Sequence, residues 1–248
     1  MKFFGEGLSE LHAQLGGCIR KEAQVEEAKA LFLQLHAAVH LSAVGGGSAN
    51  EVDALFCDLE RAEYAVMPTA KDETIAWALW HLARIEDLTM GVLAGRGDQL
   101  FDHQWQIRLN APITDTGNAL TDDEIMQLSK SLDTAELLHY RNEVGRRTRA
   151  MVQTLTAADL RRPVDPALLE KIRSEGGVTG QSDSAWLLDF WAKKRCGRPT
   201  PDAAHPPRDA AFERLLQMER ANSHPAAILP PLTIQRRPAV RRFACQPL

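Results

Sequence analysis

The sequence predicts an all-α protein: an up-and-down four-helix bundle over residues 1–194, with its last helix incomplete, followed by an irregular proline- and arginine-rich tail over residues 195–248. Three observations carry that expectation. Long segments before residue 195 repeat apolar residues at helical spacing instead of alternating them. Nine of the thirteen prolines fall after residue 194, where they remove donors and break helices and central strands. The charge also divides there: residues 195–248 carry nine arginines, no lysine and four acidic residues, a net of +5 that leaves −9 on residues 1–194.

The elements follow in order. Glu22 to Ser42 reads as the first long helix, with Val25, Ala28, Leu31, Leu35, Ala38 and Val39 on one stripe and glycines 45–47 as its stop. A short helix over Asn50 to Glu60 comes next. Asp72 or Thr74 can cap a second long helix that carries Ile75, Ala78, Leu82 and Ile85 on one face and ends at Gly95. An irregular crossing over residues 97–120 leads to Thr121 and Glu124, which stand at capping-box spacing ahead of a short helix. A long helix over Thr134 to Leu155 follows, and Ser182 to Lys194, with Trp186, Leu187, Phe190 and Trp191, opens the last main helix. The tail is expected to be poorly ordered, because few of its apolar residues recur at any regular spacing.

Composition narrows the classes of function. With 248 residues, 44% hydrophobic and 25% charged, a disordered or fibrous chain is excluded. No run of eighteen apolar residues occurs, and MKFFGEGLSELHAQL turns polar before a signal-peptide core could form, so a cytoplasmic protein without a membrane partner is expected. Cys18, Cys57, Cys196 and Cys245 are far apart and read as reduced thiols. Internal repeats and glycine-rich phosphate loops are absent, so a nucleotide-binding α/β reading has nothing to rest on.

Chemistry points to the histidines. His36 and His40 are four apart on a helix, which places their rings one turn apart on one face and lets two imidazoles share a metal; a hydrogen-bonded or surface pair is the alternative. His81 lies on an inward stripe between Trp77 and Ile85, while His103 and His139 have no partner at useful spacing. The tryptophans at 77, 80, 105, 186 and 191 read as core or pocket wall. Arg84, Glu86 and Asp87 are either a solvated charged stripe or an inward network. No nucleophile motif and no close carboxylate pair is present, so no catalytic residue is named.

The string Thr74-Ile-Ala-Trp-Ala-Leu-Trp-His81-Leu-Ala-Arg-Ile-Glu-Asp87, with Gly117-Asn-Ala-Leu120, Tyr140-Arg-Asn-Glu-Val-Gly-Arg-Arg-Thr148 and Leu187-Leu-Asp-Phe-Trp191, resembles the DinB-like superfamily of metal-dependent four-helix-bundle proteins over about residues 20–194. That resemblance implies a divalent zinc or nickel ion with His81 as one ligand, and relatives that include thiol-dependent transferases and isomerases. A small-molecule thiol and a homodimer are the partners it suggests. In that family two further ligands form a His-x-x-x-His pair near the carboxy terminus. They follow a Gly-Leu-Leu-Leu-Met-Pro segment, where this chain reads AKKRCGRPTPDAAHPPRDAAFE. Without the pair, His36 and His40 are the alternative additional ligands, and metal binding by the chain as written is expected to be impaired. A lysine-free, arginine- and proline-rich stretch is also what out-of-frame translation of a GC-rich gene produces. With permitted codons for Lys194 to Glu213, reading one nucleotide further on gives SDVAGLLLMPPTRHVTLHLN, so a frameshift near Lys194 is expected. The competing expectation is a non-enzymatic scaffold whose +5 tail touches an acidic partner; nucleic acid is not expected, since the tail lacks lysines and interleaved aromatics.

Overall fold

A computed structural model describes residues 7–68 and 73–193. The tail over residues 195–248, with Cys196 and Cys245, and the capping candidate Asp72 lie outside the described residues. Within them every regular element is helical, as the all-α expectation requires, and no helix is long and apolar enough to cross a membrane.

A helix absent from the sequence reading, α1 (Leu8–Cys18), precedes the first long one and packs on it. That helix, α2, runs from Val25 to Ala38 behind a single 3-10 turn at Glu22–Gln24, so it ends four residues before the expected Ser42. The cause is competition for its last carbonyls. Asn50 Nδ2 donates to Ala37 O (3.1 Å) and His40 O (2.8 Å), and Arg141 Nη2 donates to Val39 O (2.6 Å), so those acceptors are taken by side chains rather than by further helical amides. A one-turn helix, α3 (Ser42–Gly45), then ends at Gly46, whose positive φ of 69° no branched residue would accept. Asn50 also forms a capping box with Asp53 to start α4 (Glu51–Phe56), which is shorter than the expected run to Glu60.

Thr74 is the cap of α5 (Ile75–Glu86): its hydroxyl accepts from Trp77 N at 3.0 Å. The helix does run on to Gly95, but from Asp87 to Ala94 it is wound as a π-helix. Tertiary bonds favour that winding. Asp87 accepts from the backbone N–H of Leu100 (2.7 Å) and Phe101 (2.9 Å), and Gly95 N reaches back five residues to Met90 O at 2.8 Å. The expected single apolar face of α5 is corrected as well: residues 76–81 and 83–85 are all buried, and Ile75, Leu82 and Glu86 are the more open positions. This is a central helix.

The crossing over residues 97–120 contains a short helix, α6 (His103–Leu109), capped by Asp102 and closed by Asn110 at φ 49°. The capping box at Thr121 and Glu124 starts α7 (Asp122–Ser131) as expected, and Asp133 caps α8 (Thr134–Thr154). Two helices follow that periodicity did not reveal, α9 (Ala157–Arg161) and α10 (Pro166–Ser174), before α11 (Ser182–Ala192). The main core gathers Trp77, Trp80, Phe101, Trp105, Leu137 and Tyr140 between α5, α6 and α8. A second cluster, with Leu88, Val92, Ile172, Leu187 and Trp191, joins the π segment to α10 and α11. Four of the five tryptophans are buried as expected; Trp186 is 38% exposed and stands on the surface against Phe190.

Candidate metal centre

The helical spacing of His36 and His40 does bring their rings together. They stack with centroids 4.0 Å apart and planes 13° from parallel, both buried against α5 and α8. The third member is Glu86, the last α-helical residue of α5. Its Oε1 lies 2.9 Å from His36 Nε2 and its Oε2 lies 3.0 Å from His40 Nε2. One ligand atom from each of the three residues falls within 4.8 Å of the others, close enough to hold a metal ion. Two imidazoles and one carboxylate are also a donor set that catalytic zinc sites use, with a fourth position left over.

The surroundings fix these rings. His40 Nδ1 lies 3.0 Å from His36 O, and a carbonyl oxygen can only accept, so the proton sits on Nδ1 of a neutral His40 and its lone pair on Nε2. Burial favours that neutral form and pushes His40 down to about 4, outweighing the opposing pull of the Glu86 carboxylate. Burial alone would raise the Glu86 carboxyl, but the positive charge that His40 gains in acid and the hydrogen bond from His36 outweigh it and hold it well below the usual range. Close approach of α8 is possible only because residue 145 is glycine: a Cβ there would stand 2.7 Å from His40 Cδ2 and 2.9 Å from His40 Nε2. Arg141, buried on the same helix, is bonded to Val39 O, and its charge is felt at both His40 and Glu86.

His81 is placed elsewhere. It is buried on α5, stacked on Trp77 at 4.8 Å, and its Nδ1 donates to Thr116 O at 2.8 Å. This is one bond of a ladder: Trp77 Nε1 donates to Gly117 O, Trp80 Nε1 to Asp115 O and Arg84 Nε to Thr114 O, each at 3.0 Å. Four successive carbonyls of the crossing are therefore held by side chains of one helix. Among the described residues His81 does not join the group of His36, His40 and Glu86, so the structure brings two of the three expected histidines together and sets the third apart. His139 lies in an exposed group with Arg108, Glu136 and Glu143, and His103 opens α6.

The open alternatives for Arg84, Glu86 and Asp87 resolve to inward groups. Arg84 and Asp87 form a buried ion pair at 3.2 Å, Tyr140 donates to Asp87 at 2.7 Å, and Arg84 Nη2 donates to Gln99 at 2.7 Å. Burial pushes the Tyr140 hydroxyl well above its ordinary range, so it stays protonated. Glu86 was not singled out as a ligand from the sequence. The signal that bears on it is that three charged residues stand in a helix otherwise apolar on every side, where each must find a buried partner.

Fold and site together define a protein that is helical over the described residues, with two buried histidines and a partly buried carboxylate close enough together to hold a metal ion. A family model described as the DinB superfamily matches residues 47–179, and the chain belongs to that superfamily. The matched span includes His81 and Glu86 and stops short of His36 and His40. No curated protein matches the chain.

Proposed function

We propose that this chain is a metal-dependent protein acting on a small molecule, with a divalent ion, zinc or nickel, held between helices and one coordination position kept for a thiolate or water. Its superfamily is generally metal-binding. The observation that carries the reading is the shared tautomer of two buried histidines: His40 and His81 each give Nδ1–H to a backbone carbonyl, which makes Nε2 the basic nitrogen of each ring, the arrangement that metal-ligating histidines use. A bound ion would lower the pKa of a thiol or water in the open position. Around it, Glu86 supplies negative charge, and the Arg84, Asp87 and Tyr140 group pins the crossing beside α5.

The expectation of impaired binding rests on His81 lacking a carboxy-terminal pair; Glu86 beside His36 and His40 offers the chain another donor set. Elemental analysis of the purified protein after dialysis against zinc or nickel tests the reading. Stoichiometric metal supports it, and a metal-free protein whose binding to an acidic partner is salt-sensitive would favour the scaffold reading. The frameshift after Lys194 is a proposal that the gene decides. With one base removed near that codon, the frame should stay open and encode two histidines four apart; an early stop would end the idea.

A further inference from the structure

We infer that His36, His40 and Glu86 form a divalent-cation site of their own, independent of His81, whose remaining position takes an anion. The inference rests on the metal-dependent reading above and goes beyond it, because it assigns the ion to residues of which two lie outside the span matched to the superfamily.

His40 carries a buried ring nitrogen that its surroundings leave unpaired. His40 gives Nδ1–H to His36 O, and its buried Nε2 lies 3.0 Å from Glu86 Oε2 without an aligned hydrogen bond to that oxygen or to any other described residue. A buried ring nitrogen left without a partner costs free energy until a cation or a proton satisfies it. His36 Nε2, 2.9 Å from the other oxygen of the same carboxylate, completes a convergent set. A metal ion would take one ligand atom from each of the three residues, which lie within 4.8 Å of one another.

The set is also supported as ligand sites are. His40 is oriented by the His36 carbonyl behind it, and its ring packs into the space that Gly145 leaves by lacking a Cβ. The Glu86 side chain keeps 16% of its surface exposed, so a fourth ligand has a route in. Charge then selects that ligand. A divalent ion with the buried Arg141 nearby brings three positive charges against the single negative charge of Glu86, and low-dielectric surroundings penalise the excess. An anion such as hydroxide or a thiolate fits the open position better than a neutral ligand.

The test uses the full chain loaded with zinc and with cobalt(II) as a coloured probe. Wild type should bind one ion, melt at a higher temperature with zinc than without it, and change its cobalt absorption on addition of azide. Glu86→Gln and His36→Gln should each lose affinity by more than the roughly 10–100-fold that removing a mere supporting partner costs, while His81→Gln keeps the ion and the zinc-dependent melting shift. Circular dichroism shows that each variant is folded. Metal retained by folded Glu86→Gln, or lost by folded His81→Gln, overturns the assignment and leaves the metal-dependent reading standing; no metal in wild type overturns both. An unchanged cobalt spectrum with azide overturns the anion preference.

Discussion

Glu86 and Asp87 are neighbours in sequence, carry the same charge and are held in two opposite kinds of buried polar group. Around Asp87 the bonding is complete: Arg84, Tyr140 and the amides of Leu100 and Phe101 all give hydrogen bonds to its two oxygens. Around Glu86 it is not, since His40 Nε2 faces an oxygen that offers it no proton, and His36 Nδ1 is buried with no hydrogen-bond partner among the described residues. A satisfied network rigidifies a core, whereas a group with unpaired buried nitrogens costs free energy by itself and is satisfied by a cation or a proton. The difference separates structure from site within a single turn of helix.

Breaking the satisfied group should cost most. Asp87→Ala leaves Arg84 buried without its carboxylate and frees two amides of the crossing, so a loss of about 3–5 kcal/mol is expected in denaturant unfolding. A loss under about 1 kcal/mol would show that the group is not what holds the crossing.

Next in size is the response to acid. His40 is held neutral down to about 4, against about 6.5 for an ordinary imidazole, so between those values the unfolded chain binds protons that the folded chain refuses. Stability of the metal-free protein is then complete above about pH 6.5 and falls as pH drops toward 4, by on the order of 3 kcal/mol over the window. Measured unfolding free energies should show that slope in wild type and a flatter one in His40→Gln; equal slopes would place the effect elsewhere.

The smallest effect sharpens the contrast. Glu86→Gln gives the carboxamide a donor for the His40 lone pair, so without metal it should alter stability by less than about 1 kcal/mol, far less than the change at the adjacent residue. A loss comparable to that of Asp87→Ala would mean that the two groups do the same job.

Much of this fold is legible in local pattern. Thr74, Asn50 and the Thr121–Glu124 box mark helix starts that the structure keeps, and the spacing of His36 and His40 forecasts their stacked rings. Helices α9 and α10 carry readable signals too, the Thr156–Asp159 box and Pro166 behind Asp165, but they are too short for periodicity to reveal. What the pattern does not contain is set by distant partners. Glu86 becomes a candidate ligand through a histidine fifty residues away, and the π winding from Asp87 depends on amides thirteen and fourteen residues onward. The early end of α2 depends on Asn50 and Arg141, neither of which belongs to that helix.

The ladder of carbonyls at residues 114–117 has a consequence for how motion in this protein would be measured. That stretch is anchored through its oxygens by Trp77, Trp80, His81 and Arg84, while among its own amides only Gly117 N has a hydrogen-bond partner within the described residues, Asp115 Oδ1 at 2.7 Å. Isotope exchange at backbone amides reports the opening of bonds that amides make. It would rank residues 114–117 as looser than they are, and the slow protons that record their attachment are the indole Nε1–H groups of Trp77 and Trp80.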